Sequence, residues 1–109
     1  MEAAGTFTAV VATAELRPGF LTTHWVEDRE LIVATTTDGF HVYDATCPHS
    51  DFQLVSGRLP RGCLVECPMH GARFDAATGE VVKGPAKDPL DPIESRVIDG
   101  TLEVLVDWI

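Results

Sequence analysis

Short segments of this chain alternate hydrophobic and polar positions, as β-strands do. Residues 7–12 are rich in β-branched and aromatic side chains, and residues 40–43 alternate apolar with polar side chains. Successive side chains of a strand point to opposite faces, so this period predicts sheets with a buried face. Similar segments are residues 20–26, 31–36, 64–66, 72–75, 80–83, 96–98 and 102–106. We find no convincing helical period, so the pattern predicts an all-β fold.

Turn-forming residues separate these segments. Pro18-Gly19 favours a tight reversal, and Asp38-Gly39 and Asp99-Gly100 are typical of two-residue hairpin connections. The charged residues 27–30 separate the second predicted strand from the third. Strands at such short spacing indicate a β-sandwich or barrel.

The middle of the chain has a different character from its flanks. Residues 45–87 contain five glycines and four prolines, and their predicted strands are short. We therefore predict a single domain over residues 1–109 with two parts. The β-sandwich base comprises residues 1–44 and 88–109, and a small loop-rich subdomain, residues 45–87, is inserted into it.

Composition narrows the classes of function. The chain has 109 residues and a net charge of -9, which disfavours nucleic-acid binding. Residues 45–87 carry five basic and four acidic side chains, so the excess of acid lies in the predicted base. No apolar run approaches the length of a membrane span, and residues 1–14 lack a basic start. We expect no membrane span, no secretory signal and a cytoplasmic location.

The candidate chemistry lies in two motifs that each offer one thiol and one imidazole. Cys47-Pro48-His49 is followed, after seventeen residues, by Cys67-Pro68-Met69-His70. Thiolate and imidazole are the preferred ligands of soft and borderline metals, and each proline stiffens its motif. We predict that Cys47, His49, Cys67 and His70 bind a metal centre. The third cysteine, Cys63, is expected to be a free thiol without a role, since an odd number of cysteines argues against a disulfide framework.

Two kinds of metal centre accept this set of ligands. A single zinc ion would take all four in a tetrahedron, and an iron–sulfur cluster would take two cysteines on one iron and two histidines on the other. The ligand types do not decide between them. The interleaved order favours the cluster, because each motif can then reach both irons.

The spacing Cys-x-His and Cys-x-x-His resembles the Rieske motif, including Gly71 after the second histidine. The segments Gly79-Glu80 and Gly84-Pro85-Ala86 also resemble the part of that family that follows the second motif. The resemblance implies one Rieske-type [2Fe-2S] cluster, with Cys47 and Cys67 on the buried iron and the two histidines on the exposed iron. It also implies a Rieske-like β-sandwich base that carries a cluster-binding subdomain.

One departure from the family is informative. Rieske proteins of respiratory and photosynthetic cytochrome complexes carry a disulfide between the two motifs, and here the matching positions are Phe52 and Met69. The sequence therefore resembles the ferredoxins and oxygenases of the family, whose reduction potentials lie near the low end of the Rieske range, roughly -150 mV.

The implied function is electron transfer rather than catalysis. By resemblance, a flavin-containing ferredoxin reductase donates one electron, and the acceptor is the terminal oxygenase of a bacterial aromatic-ring-hydroxylating dioxygenase system. An oxygenase would also need a mononuclear iron held by two histidines and a carboxylate, and only His24 and His41 remain. The alternatives are a zinc-binding interaction module, a Rieske-like small subunit of a nitrite reductase, and a ferredoxin that serves another oxygenase.

Overall fold

The computed structural model describes residues 5–46, 54, 56–67, 71–84 and 88–108. In these ranges the regular elements are strands and two 3₁₀ turns, Thr13–Glu15 and Pro60–Gly62, and the predicted all-β fold is confirmed. The strands are β1 (Thr6–Ala12), β2 (Phe20–Val26), β3 (Arg29–Thr36), β4 (Gly39–Asp44), β5 (Gly57–Arg58), β6 (Leu64–Glu66), β7 (Arg73–Asp75), β8 (Val81–Lys83), β9 (Ser95–Ile98) and β10 (Thr101–Val106).

The strands form three antiparallel sheets. The central sheet has the strand order β4-β3-β2-β5, the second β1-β10-β9, and the third β6-β7-β8. In the second sheet β10 lies between β1 and β9, so the first strand pairs with the last. The third sheet is built entirely from residues 64–83, which include the beginning of the second Cys/His motif.

Strand β3 lies in the centre of the molecule because both of its faces are buried. Ile32 and Ala34 belong to one buried cluster, and Leu31 and Val33 to another; all four are 0% exposed. Side chains alternate along a strand, so β3 separates two cores. The first core comprises Leu21, Ile32, Ala34, Tyr43, Ala45, Leu54, Leu59, Val65, Cys67, Ala72, Phe74, Ala76 and Leu90. The second core includes three residues of β10.

Some strand boundaries differ from the predicted ones. Strand β3 begins at Arg29, so the turn of the β2–β3 hairpin is Glu27-Asp28 and not the four charged residues 27–30. Glu27 has a φ of 57°, in the left-handed region that two-residue hairpin turns require. Arg29 pairs with Val26, so the β2–β3 ladder includes Arg29 and Glu30, whose charges had suggested a loop.

The pairing of β5 with β2 was not predicted. The strand has only two residues and no hydrophobic pattern, so it forms through its backbone contact with β2 beside Leu21. It joins the predicted subdomain to the predicted base, and the first core also contains residues of both parts. The division of the chain into base and subdomain stays a prediction. Within the described ranges, no helix is long and apolar enough to span a membrane.

Candidate metal centre

Of the four predicted ligands, Cys67 is the one that the structure describes; Cys47, His49 and His70 lie outside the described residues, as do Phe52 and Met69. Cys67 directly follows β6 and is 0% exposed in the first core. Buried cysteines without a metal are common in protein cores, so burial alone does not assign a role. The backbone on either side of the motifs provides further information.

The second motif begins and ends at a tight backbone reversal. The N–H of Cys67 donates to the carbonyl of Ala72 at 2.8 Å, and the N–H of Gly71 donates to the carbonyl of Cys67 at 3.0 Å. Gly71 has a φ of 73°, which a residue without Cβ adopts at little cost. These two hydrogen bonds hold the ends of the second motif together, and so limit the entropy that a bound metal would have to remove.

The segment that contains the first motif is closed in a similar way. The N–H of Leu54 donates to the carbonyl of Ala45 at 2.6 Å, across residues 46–53. Ala45 in turn donates its N–H to the carbonyl of Glu30 in β3, at 3.1 Å. The segment that includes Cys47 and His49 therefore starts and ends at one point beside the central sheet.

The ends of both motif segments meet in the first core. Ala45, Leu54, Cys67 and Ala72 are members of that one cluster, and each is at most 1% exposed. A buried thiol at the start of the second closed segment fits the position on the inner iron that the resemblance to the Rieske family implies for Cys67. The remaining described residues contain no group of three or more Cys, His, Asp or Glu side chains suited to a metal.

A charged network lies at the start of the first motif. Asp44, the last residue of β4, accepts a hydrogen bond from the N–H of Thr46 at 2.7 Å and from Arg29 Nε at 2.8 Å. Burial by itself would raise the pKa of Asp44. The hydrogen bonds from the backbone and side chain of Thr46 and from Arg29, together with the charge of Arg29, outweigh burial and lower this pKa below its ordinary value. Asp44 is therefore ionised at neutral pH.

A second ion pair lies beside the second motif. Glu66 directly precedes Cys67, and its Oε2 lies 3.1 Å from Arg73 Nε. The two residues are paired across β6 and β7. Both side chains are about one-third exposed, so the pair contributes at most about 1 kcal/mol. Arg73 follows His70 by three residues, so its proximity to the second motif is visible in the sequence, whereas Arg29 lies 15 residues before Asp44 and has no such local signal.

The other candidate residues lie elsewhere. His24 in β2 is hydrogen-bonded through Nε2 to Thr22 Oγ1 at 2.8 Å, and burial lowers its pKa although Glu15 opposes this effect. His41 in β4 lies 3.2 Å from Thr36 Oγ1. Cys63 is exposed.

Comparison with known proteins agrees with the resemblance of the two motifs to the Rieske family. The family described as Rieske [2Fe-2S] domain matches residues 6–97 of the chain. Ferredoxin CarAc of Metapseudomonas resinovorans is 32% identical over 96 residues, which are 87% of this chain and 89% of that protein.

Two solved structures agree with this chain over most of its length. The ferredoxin of carbazole 1,9a-dioxygenase from Nocardioides aromaticivorans IC177 has a TM-score of 0.80 and 27% identity, and the match covers 91% of this chain and 96% of that chain. A chain in the complex of reduced oxygenase and oxidized ferredoxin in carbazole 1,9a-dioxygenase has a TM-score of 0.80 and 31% identity, with 91% and 92% covered. The likeness therefore extends well beyond the two motifs.

Proposed function

We propose that this chain, which belongs to the Rieske [2Fe-2S] domain family, is the ferredoxin component of a ring-hydroxylating dioxygenase system and carries one electron to the terminal oxygenase. The observation that carries the proposal is the length of the likeness: it covers about nine-tenths of both this chain and small ferredoxins. The chain is an electron carrier and not a catalytic subunit.

The proposed ligands are Cys47 and Cys67 for one iron and His49 and His70 for the other. The bound cluster supplies a one-electron redox couple. The residues of the chain provide the surroundings. The first core excludes water from the thiol of Cys67, and the closed ends of both motif segments reduce the entropy lost when the ligands converge.

The partners follow from the same proposal. The acceptor is a terminal oxygenase, supported by the solved oxygenase–ferredoxin complex that contains a similar chain. The donor is a flavin-containing ferredoxin reductase, and the proposed location is the cytoplasm. Residues 45–87 form the cluster-binding subdomain, and residues 1–44 and 88–109 form the base that supports it.

Spectra of the purified protein test this function. We expect a red-brown protein with about two irons per chain and a Rieske-type EPR signal after reduction. A colourless protein with one zinc ion per chain would instead support a zinc-binding interaction module. Reduction by a ferredoxin reductase, followed by oxidation by a terminal oxygenase, would separate a ferredoxin from a small subunit of a nitrite reductase.

A pair of cysteine variants tests the ligand assignment. Cys67→Ser should abolish the EPR signal and reduce the iron content severalfold, because serine is a poor ligand for a cluster iron. Cys63→Ser is the matched control, since Cys63 lies four residues earlier and is exposed. Full colour in Cys67→Ser, or loss of the cluster in Cys63→Ser, would contradict the assignment.

A further inference from the structure

Arg29 connects three separate parts of the chain, one of which ends at Asp44, three residues before Cys47. Its Nε lies 2.8 Å from Asp44 Oδ2, and its Nη2 lies 3.2 Å from Asp91 Oδ2. Its guanidinium carbon lies 4.7 Å from the centre of the Trp108 ring. A planar guanidinium can donate to two carboxylates while it stacks on an aromatic ring, which a lysine ammonium cannot do.

Asp44 links Arg29 to the residue that precedes the first motif. One carboxylate oxygen accepts from Arg29, and the other accepts the N–H of Thr46, the residue directly before Cys47. The backbone N–H of Asp44 also donates to the carbonyl of Asp91 at 2.9 Å. These three hydrogen bonds of Asp44 favour one position of the chain just before the first motif.

The same contacts have an electrostatic consequence. Asp44 Oδ1 lies 2.7 Å from the backbone nitrogen of Thr46, the residue directly before Cys47, and one further residue adds at most about 3.6 Å. The carboxylate is therefore within one Debye length, about 10 Å, of the start of the first motif. The side chains of Arg29 and Asp44 are only 24% and 21% exposed, so their charges are incompletely screened by water. An unpaired carboxylate at this position would oppose the addition of an electron to the nearby centre.

We propose that Arg29 is a positioning residue for the cluster, which holds the entrance to the first motif through Asp44 and neutralises the charge of that carboxylate. The inference rests on the proposed function, since it needs a cluster at the two motifs. Arg29 thereby acts on both the geometry of the first motif and the reduction potential of the centre.

The two effects are separable by substitution. Arg29→Gln leaves the carboxylate of Asp44 without its cationic partner, so the midpoint potential should become more negative. Asp44→Asn keeps an oxygen that can accept from Thr46 but removes the negative charge, so the potential should become more positive. A role in stability alone would not shift the potential in opposite directions in these two variants.

Arg29→Lys separates the effect on the position of the chain before the first motif from the effect of the positive charge at residue 29. The lysine keeps the positive charge, so the potential should stay near that of the parent protein. It cannot donate to both carboxylates, so hydrogen exchange in the peptide that contains Thr46 should become about 5- to 10-fold faster, as expected for the loss of about one hydrogen bond. Unchanged exchange in both Arg29→Lys and Arg29→Gln would overturn the positioning role.

The control is an ion pair of the same length in another sheet. Arg96 Nε lies 2.8 Å from Glu103 Oε1, across β9 and β10. Arg96→Gln makes the same change in net charge as Arg29→Gln, but this pair lies in the β1-β10-β9 sheet, and no strand of that sheet adjoins a Cys/His motif in the sequence. Its potential should equal that of the parent protein.

Each outcome is decisive when all variants are purified with their clusters and titrated by redox potentiometry with EPR detection. Opposite shifts in Arg29→Gln and Asp44→Asn, with no shift in Arg96→Gln, support the inference. If the potentials of Arg29→Gln and Asp44→Asn shift in the same direction, or do not shift, the inference is overturned. The proposed function still stands in that case, provided that the parent protein shows the Rieske-type EPR signal. A parent protein without that signal overturns both. If Arg29→Gln does not fold, a positive shift in Asp44→Asn and faster exchange in Arg29→Lys still support the inference, and their absence overturns it.

Discussion

Tyr43 connects the central sheet to the β7–β8 hairpin, and Tyr43→Phe tests the strength of this connection. Its phenol O–H donates to the carbonyl of Ala76 at 2.8 Å, and the side chain is 3% exposed in the first core. Phenylalanine keeps the ring but leaves a buried carbonyl without this donor. We expect a loss of about 1 to 2 kcal/mol in the free energy of unfolding, which lowers the melting temperature by about 5–15 °C for a domain of this size.

The free energy of unfolding should also depend on pH through Tyr43. Burial, together with the negative charge of Asp75, raises the pKa of Tyr43 from 10.0 to about 12. The unfolded chain releases the phenolic proton near pH 10, so between about pH 10 and 12 the folded state binds more protons than the unfolded state. The stability that Tyr43 contributes is complete below pH 10 and is lost as the pH rises towards 12. At 1.36 kcal/mol per pKa unit, the loss reaches at most about 2 to 3 kcal/mol.

The assay is direct because Tyr43 is the single tyrosine of the chain. The ultraviolet absorbance of tyrosinate, with Tyr43→Phe as the blank, gives the pKa in the folded protein. Denaturant unfolding of both proteins at about pH 9 and about pH 11.5 gives the difference in stability, and other titrating groups contribute equally to both. A tyrosinate transition near pH 10, or an equal alkaline loss of stability in Tyr43→Phe, would refute the reasoning.

Three further predictions concern packing and charge. Gly79 has a φ of 78°, and an added Cβ would lie 2.9 Å from Tyr43 Cε1, so Gly79→Ala should destabilise the protein by about 1 to 3 kcal/mol in thermal melts. In Gly84→Ala the added Cβ meets no atom within 4 Å, and stability should change by less than about 1 kcal/mol. Phe74→Ala removes a fully buried ring from the first core. It should lower the free energy of unfolding, measured with denaturant, by about 3 to 5 kcal/mol, and it should also lower the iron content. If the reductase docks on residues 45–87, which are nearly neutral, turnover with it should depend only weakly on ionic strength. A steep fall with ionic strength would show that the acidic residues outside 45–87 take part in docking.

Local patterns were sufficient to locate most strands of this fold. The alternation in residues 102–106 and the Asp99-Gly100 turn predicted β10 and its hairpin with β9, because period and turn chemistry are properties of neighbouring residues. The predicted boundary between the second and third strands was wrong because strand pairing overrides composition there. Arg29 and Glu30 are charged but belong to β3, since their partners in β2 provide the backbone hydrogen bonds.

The candidate ligands were also accessible to sequence reasoning, because each motif concentrates its metal-binding side chains within four residues. The contact of Asp44 with Thr46 is of a kind that short spacing suggests, since an aspartate often accepts from the N–H two residues later. Arg29 and Asp91 could not have been found in this way. They lie 15 and 47 residues from Asp44 along the chain and meet it only in the folded structure.

The sequence by itself determined the two Cys/His motifs, their interleaved order, and most of the strands around them, because each depends on the chemistry of a few consecutive residues. The tertiary structure decided which residues surround the motifs. It brought Ala45, Leu54, Cys67 and Ala72 into one core and placed Arg29 against Asp44. These contacts arise from burial on both faces of β3 and from strand pairing over long sequence separations, which no local pattern encodes.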